Sequence, residues 1–433
     1  MLRIYSYLVG LFMYPFARLY LEGLSFLSGM RSLVKRDQHV SFDEFQSGPV
    51  LLLALFEKGD LRPDIKNLIL RARNQGYYVI AVNNGKIGAN ELASVDEAIP
   101  SYYIERYNFG RDFGSYKSGA LFLYKNKKFK NCSRVIIMND SVFYSDANLN
   151  SFLCSLNDSR YDVIGATCNP EISFHLGSFC ISMSAEVFFN SKMARFWKRY
   201  RKSDIRPTVI KRGEMKLSQV LMSIASPSKV EVLFDKAGFL SRMATEESEK
   251  ILNDMPKLMS RPQIKQPDEF QYPSFMSITD GFVEAYSTDS LSLKNLSWRL
   301  KGLQADSISK TQSQLLFCPD DVVDLASKLY PDIDIERFRN EYFKFLTASW
   351  GETIETGSQV HFNCILFARL GLPFAKLDLV FRGVASVNDI EALCEECMSE
   401  DEAAQFRRLV YGKAWGHKSY VGWRLAAFNR GLL

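Results

Sequence analysis

The sequence predicts an α/β fold with an open, mostly parallel sheet, followed by a mainly helical region. Short apolar runs alternate with segments of helical periodicity between residues 50 and 139, whereas later segments repeat apolar residues at helical spacing. The 433 residues are 47% hydrophobic and 24% charged, which is typical of a globular protein with a sizeable core. We expect an apolar and basic helical segment at residues 1–45, an α/β domain at 46–255 and a helical domain at 256–433, after a proline-rich stretch.

The α/β pattern begins with the run VLLLALF at residue 50. A helix predicted over residues 62–75 and the run YYVIAVN at 77–83 complete a βαβ unit, which implies parallel strands and a right-handed crossover. Four further elements are predicted, namely a helix at 89–97, a strand at 102–105, a helix at 111–124 and a strand at 134–139. Ligands of such sheets bind at the carboxyl ends of the strands.

A polar, glycine-containing segment precedes the helix predicted at residue 111. It contains Asn108, Gly110, Arg111 and Asp112. Glycine lets a ligand approach the backbone, a helix N-terminus offers free N–H groups, and the arginine adds a fork of donors. These features suit a diphosphate site. The alternative is an ordinary helix start in which Asp112 favours the helix dipole.

A second polar segment, Asn139-Asp140-Ser141, follows the apolar strand that ends at residue 139. A carboxylate at the end of a buried strand can bind Mg²⁺ or Mn²⁺ through oxygen, and the metal would then bridge substrate phosphates. The alternative is a helix N-cap or a turn, since all three residue types favour both.

Charge and cysteine content argue against a nucleic-acid-binding protein and against a disulfide-stabilised one. Lys and Arg total 54 against 49 for Asp and Glu, so the net charge of +5 gives no support for a nucleic-acid partner. The eight scattered cysteines are expected to be reduced thiols, as in cytosolic proteins. Cys394 and Cys397 form a C-x-x-C within a predicted helix, and half-buried helix positions are favoured over a zinc or redox site.

Both ends of the chain combine aromatic residues with basic ones. The apolar N-terminal stretch is interrupted by Pro15, Arg18 and Glu22, which argues against a membrane-spanning helix, and it has no signal-peptide cleavage site. A helix in the lipid headgroup region and a helix packed on the protein's own core both stay open. After Glu402, six cations alternate with aromatic residues: Arg407, Arg408, Lys413, Lys418, Arg424 and Arg430. We expect a cytoplasmic protein that binds peripherally to the inner face of the membrane. The alternative is a C-terminal helix that packs on the domain and keeps its charges in solvent.

The order of these pieces resembles the rhamnan synthesis protein F family of bacterial polysaccharide rhamnosyltransferases, which are glycosyltransferases of the GT-A type. The resemblance covers roughly residues 48 to 235 and rests on four stretches. These are YNFGRDFGSYKSGAL at 107–121, VIIMNDSVF at 135–143, HLGSFCISMSAEVF at 175–188 together with FWKRY at 196–200, and VIKRGEMKLSQVL at 209–221.

The resemblance implies a GT-A-like sheet and transfer of rhamnose from dTDP-rhamnose to a polyprenyl-diphosphate-linked saccharide, with inversion. It also implies that Glu214, expected immediately before a helix, is the catalytic base, because a carboxylate is deprotonated at neutral pH. The alternative for Glu214 is a helix-start residue that favours the dipole. Asn139-Asp140-Ser141 offers one carboxylate where a D-x-D motif offers two, so a requirement for Mg²⁺ or Mn²⁺ at Asp140 stays open.

Other positions are assigned by their place in the pattern. Phe56 and Asn83 end the first two long strands, where the nucleotide base would pack. His175, Gly177 and Ser178 follow a strand-like run and are expected to line the sugar or acceptor pocket. For His361 and Lys376 in the C-terminal region, packing in the core is the favoured interpretation.

One other function stays open, and a second is disfavoured. A non-catalytic protein that keeps the fold as an assembly or glycan-binding module is consistent with the incomplete D-x-D motif. A nucleotidyltransferase on a related sheet would need a Gly- and Lys-rich N-terminal loop, which this sequence lacks.

Overall fold

The computed structural model describes residues 2–88, 98–170, 172–244, 248–258, 275–287, 293, 295–296, 298–300, 318–355 and 358–433. The helix predicted at 89–97 lies outside these residues. In the described part of the chain, eleven strands belong to two sheets, and the C-terminal region is mainly helical. The predicted α/β class is therefore confirmed.

The strands follow one another as short, mostly buried runs. They are β1 Gln38–Ser41, β2 Gly48–Leu55, β3 Tyr78–Asn83, β4 Tyr102–Glu105, β5 Cys132–Asn139, β6 Val142–Tyr144, β7 Val163–Asn169, β8 His175–Leu176, β9 Cys180–Ser184, β10 Val230–Phe234 and β11 Phe374–Lys376. β2, β3 and β5 are almost continuous apolar runs because helices cover the sheet on both faces. The edge strand β1, in contrast, is exposed and was not predicted.

The first half of the chain contains one long helix at its start and further helices that flank the sheet. They are α1 Leu2–Val34, α2 Pro63–Asn74, α3 Arg111–Lys125, α4 Leu149–Leu156, α5 Ala185–Phe188, α6 Ser191–Arg199, α7 Arg206–Val209, α8 Lys216–Met222, α9 Lys236–Arg242 and α10 Ser248–Leu258. A π-helical segment, Ile210–Met215, joins α7 to α8. Glu214 therefore lies inside a continuous helical stretch, and the prediction that it immediately precedes a helix is wrong.

Helices also dominate the described C-terminal residues. They are α11 Phe275–Tyr286, α12 Pro319–Leu329, α13 Ile335–Ile354, α14 Gln359–Phe362, α15 Cys364–Arg369, α16 Leu379–Arg382, α17 Val387–Cys397, α18 Glu400–Tyr411, α19 Gly416–Ser419 and α20 Gly422–Asn429. Cys394 and Cys397 are free, buried thiols in α17, deeper than the half-buried positions expected. Among the described residues, no helix has both the length and the apolar composition needed to cross a bilayer.

The large sheet has the order β1-β4-β3-β2-β5-β9-β7-β10, with β8 paired to β7. β2, β3, β4 and β5 are mutually parallel, and β10 is parallel to β7. β9 runs antiparallel to both β5 and β7, and β1 runs antiparallel to β4. From β2 the chain proceeds outward to β3 and β4, and then returns to place β5 on the other side of β2. This reversal is a topological switch point, where open α/β sheets bind their ligands.

Alternate residues of β2 enter two hydrophobic cores. Leu51, Leu53 and Leu55 belong to a core that contains α2 and continues into the C-terminal helices, where it includes Phe406. Val50, Leu52 and Ala54 belong to a core beneath α3, α6 and α8. The first core also contains β6 and β11, which form the small second sheet. The C-terminal region is thereby fixed against the sheet; the domain boundaries expected at residues 45 and 255 stay a prediction.

Candidate functional site

Partly buried polar side chains gather at the carboxyl ends of β2, β3 and β5, at the switch point of the sheet, and we call the space that they border the cleft. Chain segments that follow these strands supply its first side chains, because parallel strands end at the same edge of a sheet. The two polar segments singled out in the sequence, at residues 108–112 and 139–141, meet there.

Asp140 occupies the centre of this edge and bridges the two strands at the switch point. Its Oδ2 accepts a 2.5 Å hydrogen bond from the N–H of Phe56, the residue after β2. Its own N–H donates to the carbonyl of Ala54 at 3.2 Å. Burial and then the charge of Asp112 raise the pKa of Asp140 to about 6, while the Phe56 N–H and Arg62 act against this rise. Asp140 is therefore largely ionised at neutral pH and serves as a hydrogen-bond acceptor.

Next to Asp140, three charged side chains form a buried cluster that the sequence did not reveal. Arg62 makes a bidentate pair with Asp64 at 3.0 and 2.9 Å and lies 3.4 Å from Glu57. It also donates to the carbonyls of Asp140 and Val142 at 3.1 and 2.8 Å. Burial raises the pKa of Glu57 to about 7, although Arg62 acts to lower it. Arg62 therefore fixes the end of β5 to the segment that follows β2.

The segment before α3 is fixed from beneath by Arg106. Its buried guanidinium donates to the side-chain oxygen of Asn84 and to the carbonyl of Phe109. Gly110 has φ 91°, and a Cβ there would lie 2.8 Å from the Lys202 side chain, so glycine is required on both counts. Arg111 has φ 51°, an uncommon value for a residue with a side chain, and its side chain is exposed at the cleft. Asn108 is exposed as well.

Asp112 and Asn139 connect the two polar segments directly. The Asn139 amide donates to Asp112 Oδ2 at 3.0 Å, and Asn139 Oδ1 accepts from the Ser141 backbone and hydroxyl at 3.1 and 2.6 Å. Burial raises the pKa of Asp112, while Arg111 and Lys376 oppose this rise. Asp112 thus contacts Asn139 at the cleft, and its role is not limited to favouring the helix dipole.

Lys376 reaches the cleft from the C-terminal part of the chain. It ends β11, which pairs antiparallel with β6 immediately after Asp140 and Ser141. Its Nζ donates to Ser141 Oγ at 3.0 Å and lies 4.2 Å from the centre of the Phe179 ring. Burial lowers the pKa of Lys376, whereas Asp378, Glu214 and Asp112 act to raise it. Lys376 packs on the Phe179 ring with its ammonium group within electrostatic reach of the site carboxylates, and the choice between packing and contact with a substrate stays a prediction.

Glu214 and His175 face each other across another side of the cleft. His175 Nδ1 lies 2.8 Å from the Ser173 carbonyl, and since a carbonyl only accepts, Nδ1 carries a proton. The other nitrogen, Nε2, is 3.9 Å from Glu214 Oε2. A hydroxyl oxygen could lie within about 2.8 Å of both atoms.

The π-helical segment that carries Glu214 is held against α3. A Cβ on Gly213 would lie 2.9 Å from the Phe113 ring, so glycine allows the segment to approach the residue next to Asp112. π-Helical turns frequently occur at functional sites because they change the direction of one side chain within a helix. Here the turn places Glu214 within electrostatic reach of Lys376 and Arg206.

Arg206 lies within electrostatic reach of Glu214 and of two further cations. Burial lowers the pKa of Arg206, and the charges of Arg382 and Arg111 lower it further. The carboxylates of Asp378 and Glu214 act to raise it. Asp378 accepts from Arg382 at 3.3 Å and lies 3.0 Å from His361 Nε2. Although burial acts to raise it, His361, Lys376 and Arg382 hold the pKa of Asp378 well below its ordinary value. His361 therefore supports the cleft through Asp378.

The remaining predicted residues take different places. Phe56 is 47% exposed at the mouth of the cleft, with the Lys58 ammonium 5.0 Å from its ring centre. Asn83 is fully buried, and its side chain bonds to the backbone of Glu57 at 2.9 and 3.0 Å. Asn83 thus holds the segment after β2, and its contact with a nucleotide stays a prediction.

Gly177 and Ser178 turn the chain between β8 and β9 beside His175. A Cβ on Gly177 would lie 2.6 Å from the Phe179 ring, and the Ser178 carbonyl accepts from Tyr116 at 2.9 Å. Both residues position neighbouring side chains, and direct contact with an acceptor stays a prediction.

The fold is that of an α/β protein with a mostly parallel central sheet, and the charged cleft at its switch point is the candidate ligand site. A family model described as rhamnan synthesis protein F matches residues 79–263, which confirms the resemblance seen in the sequence. The match includes α3, Asp140, His175 and Glu214.

Two relatives show weaker similarity. An uncharacterised protein, y4gN, of Sinorhizobium fredii is 25% identical over 177 residues, which are 40% of this chain and 45% of that protein. The virulence protein VirA of Vibrio anguillarum is 28% identical over 116 residues, which are 26% of this chain and 35% of that protein. The chain thus spans less than half the length of these curated relatives.

Proposed function

We propose that this protein is an inverting glycosyltransferase of polysaccharide synthesis with a GT-A-like nucleotide-binding sheet. One observation carries the proposal: a carboxylate suited to act as a base, Glu214, lies in the same cleft as Asp140 and the cations Lys376 and Arg206. The cleft is at the switch point of the sheet, where nucleotides bind in open α/β folds. The match to the rhamnan synthesis protein F family supports a role in polysaccharide synthesis.

In this proposal, the donor nucleotide lies along the carboxyl ends of β2 and β3. Phe56 offers an exposed ring for stacking a base, and Asp140 offers carboxylate oxygens to donor hydroxyls. The diphosphate lies at the N-terminus of α3, where Arg111 adds a positive charge to the free N–H groups of the helix.

The chemical step requires removal of one proton and stabilisation of one leaving group. The acceptor oxygen attacks the anomeric carbon of the donor sugar and forms the new C–O bond. The bond from that carbon to the diphosphate oxygen breaks, and the nucleoside diphosphate leaves with the electron pair. Glu214 takes the acceptor hydroxyl proton, and Arg111, Arg206 and Lys376 stabilise the growing negative charge on the diphosphate.

We propose that cationic side chains near Asp140 supply the positive charge that a metal ion supplies in other enzymes of this kind. In the described part of the chain, no group of three or more His, Cys, Asp or Glu side chains is arranged to hold a metal. At Ser141, where a D-x-D motif would place its second carboxylate, the Lys376 ammonium lies 3.0 Å from the hydroxyl. This position therefore already holds a positive charge. A Mg²⁺ or Mn²⁺ ion held by Asp140, which the sequence leaves open, is the alternative, and no step is derived through it.

Donor and acceptor follow from the family resemblance. We propose dTDP-rhamnose as donor and a polyprenyl-diphosphate-linked saccharide as acceptor. His175, together with the turn at Gly177 and Ser178, borders the space in front of Glu214, where the acceptor hydroxyl would enter.

The proposal is tested by titrating the protein with dTDP- and UDP-linked sugars in a calorimeter and by measuring turnover of those that bind. We expect at least one nucleotide sugar to bind and to be transferred. Arg111→Ala and Asp140→Asn should each weaken donor binding about tenfold, because each removes a charge that contacts the donor.

Arg195→Ala is the matched control, because Arg195 is an exposed arginine in α6. Its donor affinity should equal that of the parent. Binding without turnover, with any acceptor saccharide, would support a non-catalytic glycan-binding module instead. If no nucleotide sugar bound at all, the proposed class of enzyme would be wrong.

A further prediction concerns Lys376. Lys376→Met should lower kcat/KM about 10- to 100-fold, because a charge-assisted contact to the leaving diphosphate is lost. Treatment of the parent with EDTA should leave its activity unchanged, since the positive charge comes from side chains.

Lys130→Met is the control and should keep full activity, because Lys130 is an exposed lysine in the 3₁₀ helix Lys127–Asn131, at the far end of β5. Loss of activity with EDTA, restored by Mn²⁺ or Mg²⁺, would show that Asp140 binds a metal. An unaffected Lys376→Met variant would show that Lys376 only supports the fold.

A further inference from the structure

The N-terminal helix α1 packs on the protein along one face. Ala17 is buried with Ile205, Ala427 and Leu432 in a small core that joins both ends of the chain. Farther along the helix, a Cβ on Gly29 would lie 3.0 Å from the Phe109 ring. These inner positions recur at helical spacing, so the opposite side of α1 points away from the protein.

That opposite side is apolar. Six large side chains on it are between 53% and 83% exposed: Phe16, Leu19, Phe26, Leu27, Leu33 and Val34. With 3.6 residues per turn, they lie within an arc of about 120° around the helix. Soluble proteins rarely expose a contiguous apolar patch of this kind, which usually marks an interaction surface. We name these six side chains the outer face of α1.

The charges beside the outer face are mainly positive. Arg31 borders the arc, and Lys35 and Arg36 follow the end of the helix, where all three are exposed next to a single acidic residue, Asp37. Glu22, the only acidic side chain within α1, is paired with Arg18 at 2.9 Å.

The C-terminal helix α20 extends this surface. The Trp423 ring packs edge-on against Tyr20 with ring centres 6.0 Å apart. Arg424, which is exposed, lies over that indole, 5.7 Å from its centre. Aromatic rings combined with lysine and arginine are characteristic of surfaces in the headgroup region of a bilayer.

We propose that the outer face of α1 lies in the interface of an anionic phospholipid bilayer. The apolar side chains would enter the boundary between headgroups and acyl chains, and the cations would contact lipid phosphates. The bordering positive charge favours an anionic bilayer over a second copy of the chain, because two outer faces in contact would bring cations together and repel each other.

The docked helix would stand next to the cleft. The Asp204 N–H donates to Ser25 Oγ on the inner side of α1 at 3.0 Å, and Asp204 Oδ1 accepts from the Gly110 N–H at 2.7 Å. Two hydrogen bonds therefore connect α1 to the segment that carries Arg111. A saccharide on a lipid diphosphate could reach Glu214 without leaving the bilayer; this consequence rests on the proposed function, whereas the docking does not.

The test is sedimentation of the full chain with vesicles of phosphatidylcholine, with and without phosphatidylglycerol. We expect binding to the anionic vesicles, reduced by salt. Phe26→Glu should lower the partition coefficient at least about tenfold, because it places a charge in the apolar interface. Arg31→Gln and Lys35→Gln should each lower it about fivefold.

Val387→Glu is the matched control, because Val387 is also an exposed apolar residue, 53% exposed, at the start of α17. It should bind vesicles like the parent. Circular dichroism and nucleotide-sugar titration establish that each variant is folded, independently of binding to lipid. Failure of the parent to sediment with anionic vesicles, equal binding by Phe26→Glu, or a parent dimer that Phe26→Glu dissociates would each overturn the proposal.

Discussion

Replacing Glu214 by glutamine is expected to reduce turnover about 10²- to 10⁴-fold while donor affinity stays near that of the parent. Glutamine has the shape of glutamate but does not accept the proton of the acceptor hydroxyl. His175 Nε2 lies 3.9 Å from Glu214 Oε2, beyond hydrogen-bond distance, so the exchange breaks no direct hydrogen bond between the two side chains. The measurement compares kcat with the dissociation constant for the donor.

Glu186→Gln is the control for this exchange, because Glu186 is an exposed glutamate in the short helix α5. It should retain full turnover. A Glu214→Gln enzyme as fast as the parent would mean that another group takes the proton and that Glu214 only serves the helix.

Replacing Arg62 by methionine is expected to lower the free energy of unfolding by roughly 3 kcal/mol. The exchange leaves the carboxylates of Asp64 and Glu57 buried without their cation; their side chains are only 1% and 10% exposed. It also removes the donors to the carbonyls of Asp140 and Val142. Urea unfolding followed by circular dichroism measures the loss.

Arg71→Met, on the same helix α2, is the matched control. Arg71 pairs with Asp146 at 2.8 Å, but the two side chains are 35% and 43% exposed. An exposed ion pair contributes about 0–1 kcal/mol, so this variant should be nearly as stable as the parent. Equal losses in the two variants would contradict the importance we assign to burial.

The loss in Arg62→Met should also depend on pH. Burial raises the pKa of Glu57 in the folded parent from 4.5 to about 7, so the folded state binds a proton more readily than the unfolded state. The contribution of Glu57 to the free energy of unfolding therefore rises as the pH falls from above 7 towards 4.5. Without Arg62 the pKa of Glu57 rises further. The difference in the free energy of unfolding between Arg62→Met and the parent should accordingly be largest above pH 7 and become smaller in acid.

Much of the fold is predictable from local sequence. β4 was predicted at the residues where it occurs, and β2, β3, β5, α2 and α3 within a few residues, because each is a short apolar or amphipathic segment between turns. β1 was missed because its four residues are all exposed, and β8 and β11 because they are only two and three residues long. Their pairing depends on partners distant in sequence.

The site was predictable in part for a similar reason. Asn108, Arg111 and Asp140 follow strand ends or begin a helix, and a parallel sheet brings such positions to one edge. The charged stretch of residues 57–64 follows β2 in the same way, and this signal could have indicated Glu57, Arg62 and Asp64. The sequence did not show that they form one buried cluster.

The sequence by itself determined the α/β class, the helical C-terminal region and the polar segments that meet at the sheet edge, since these follow from residue periodicity and chain order. Only the tertiary structure decided that Lys376 joins Ser141 across 235 residues, and that a π-helical turn directs Glu214 towards His175. The physical reason is that such contacts depend on how separate elements pack. The local sequence around Lys376 indicates only a charged residue in a mainly helical region. Its place in the cleft depends on the pairing of β11 with β6.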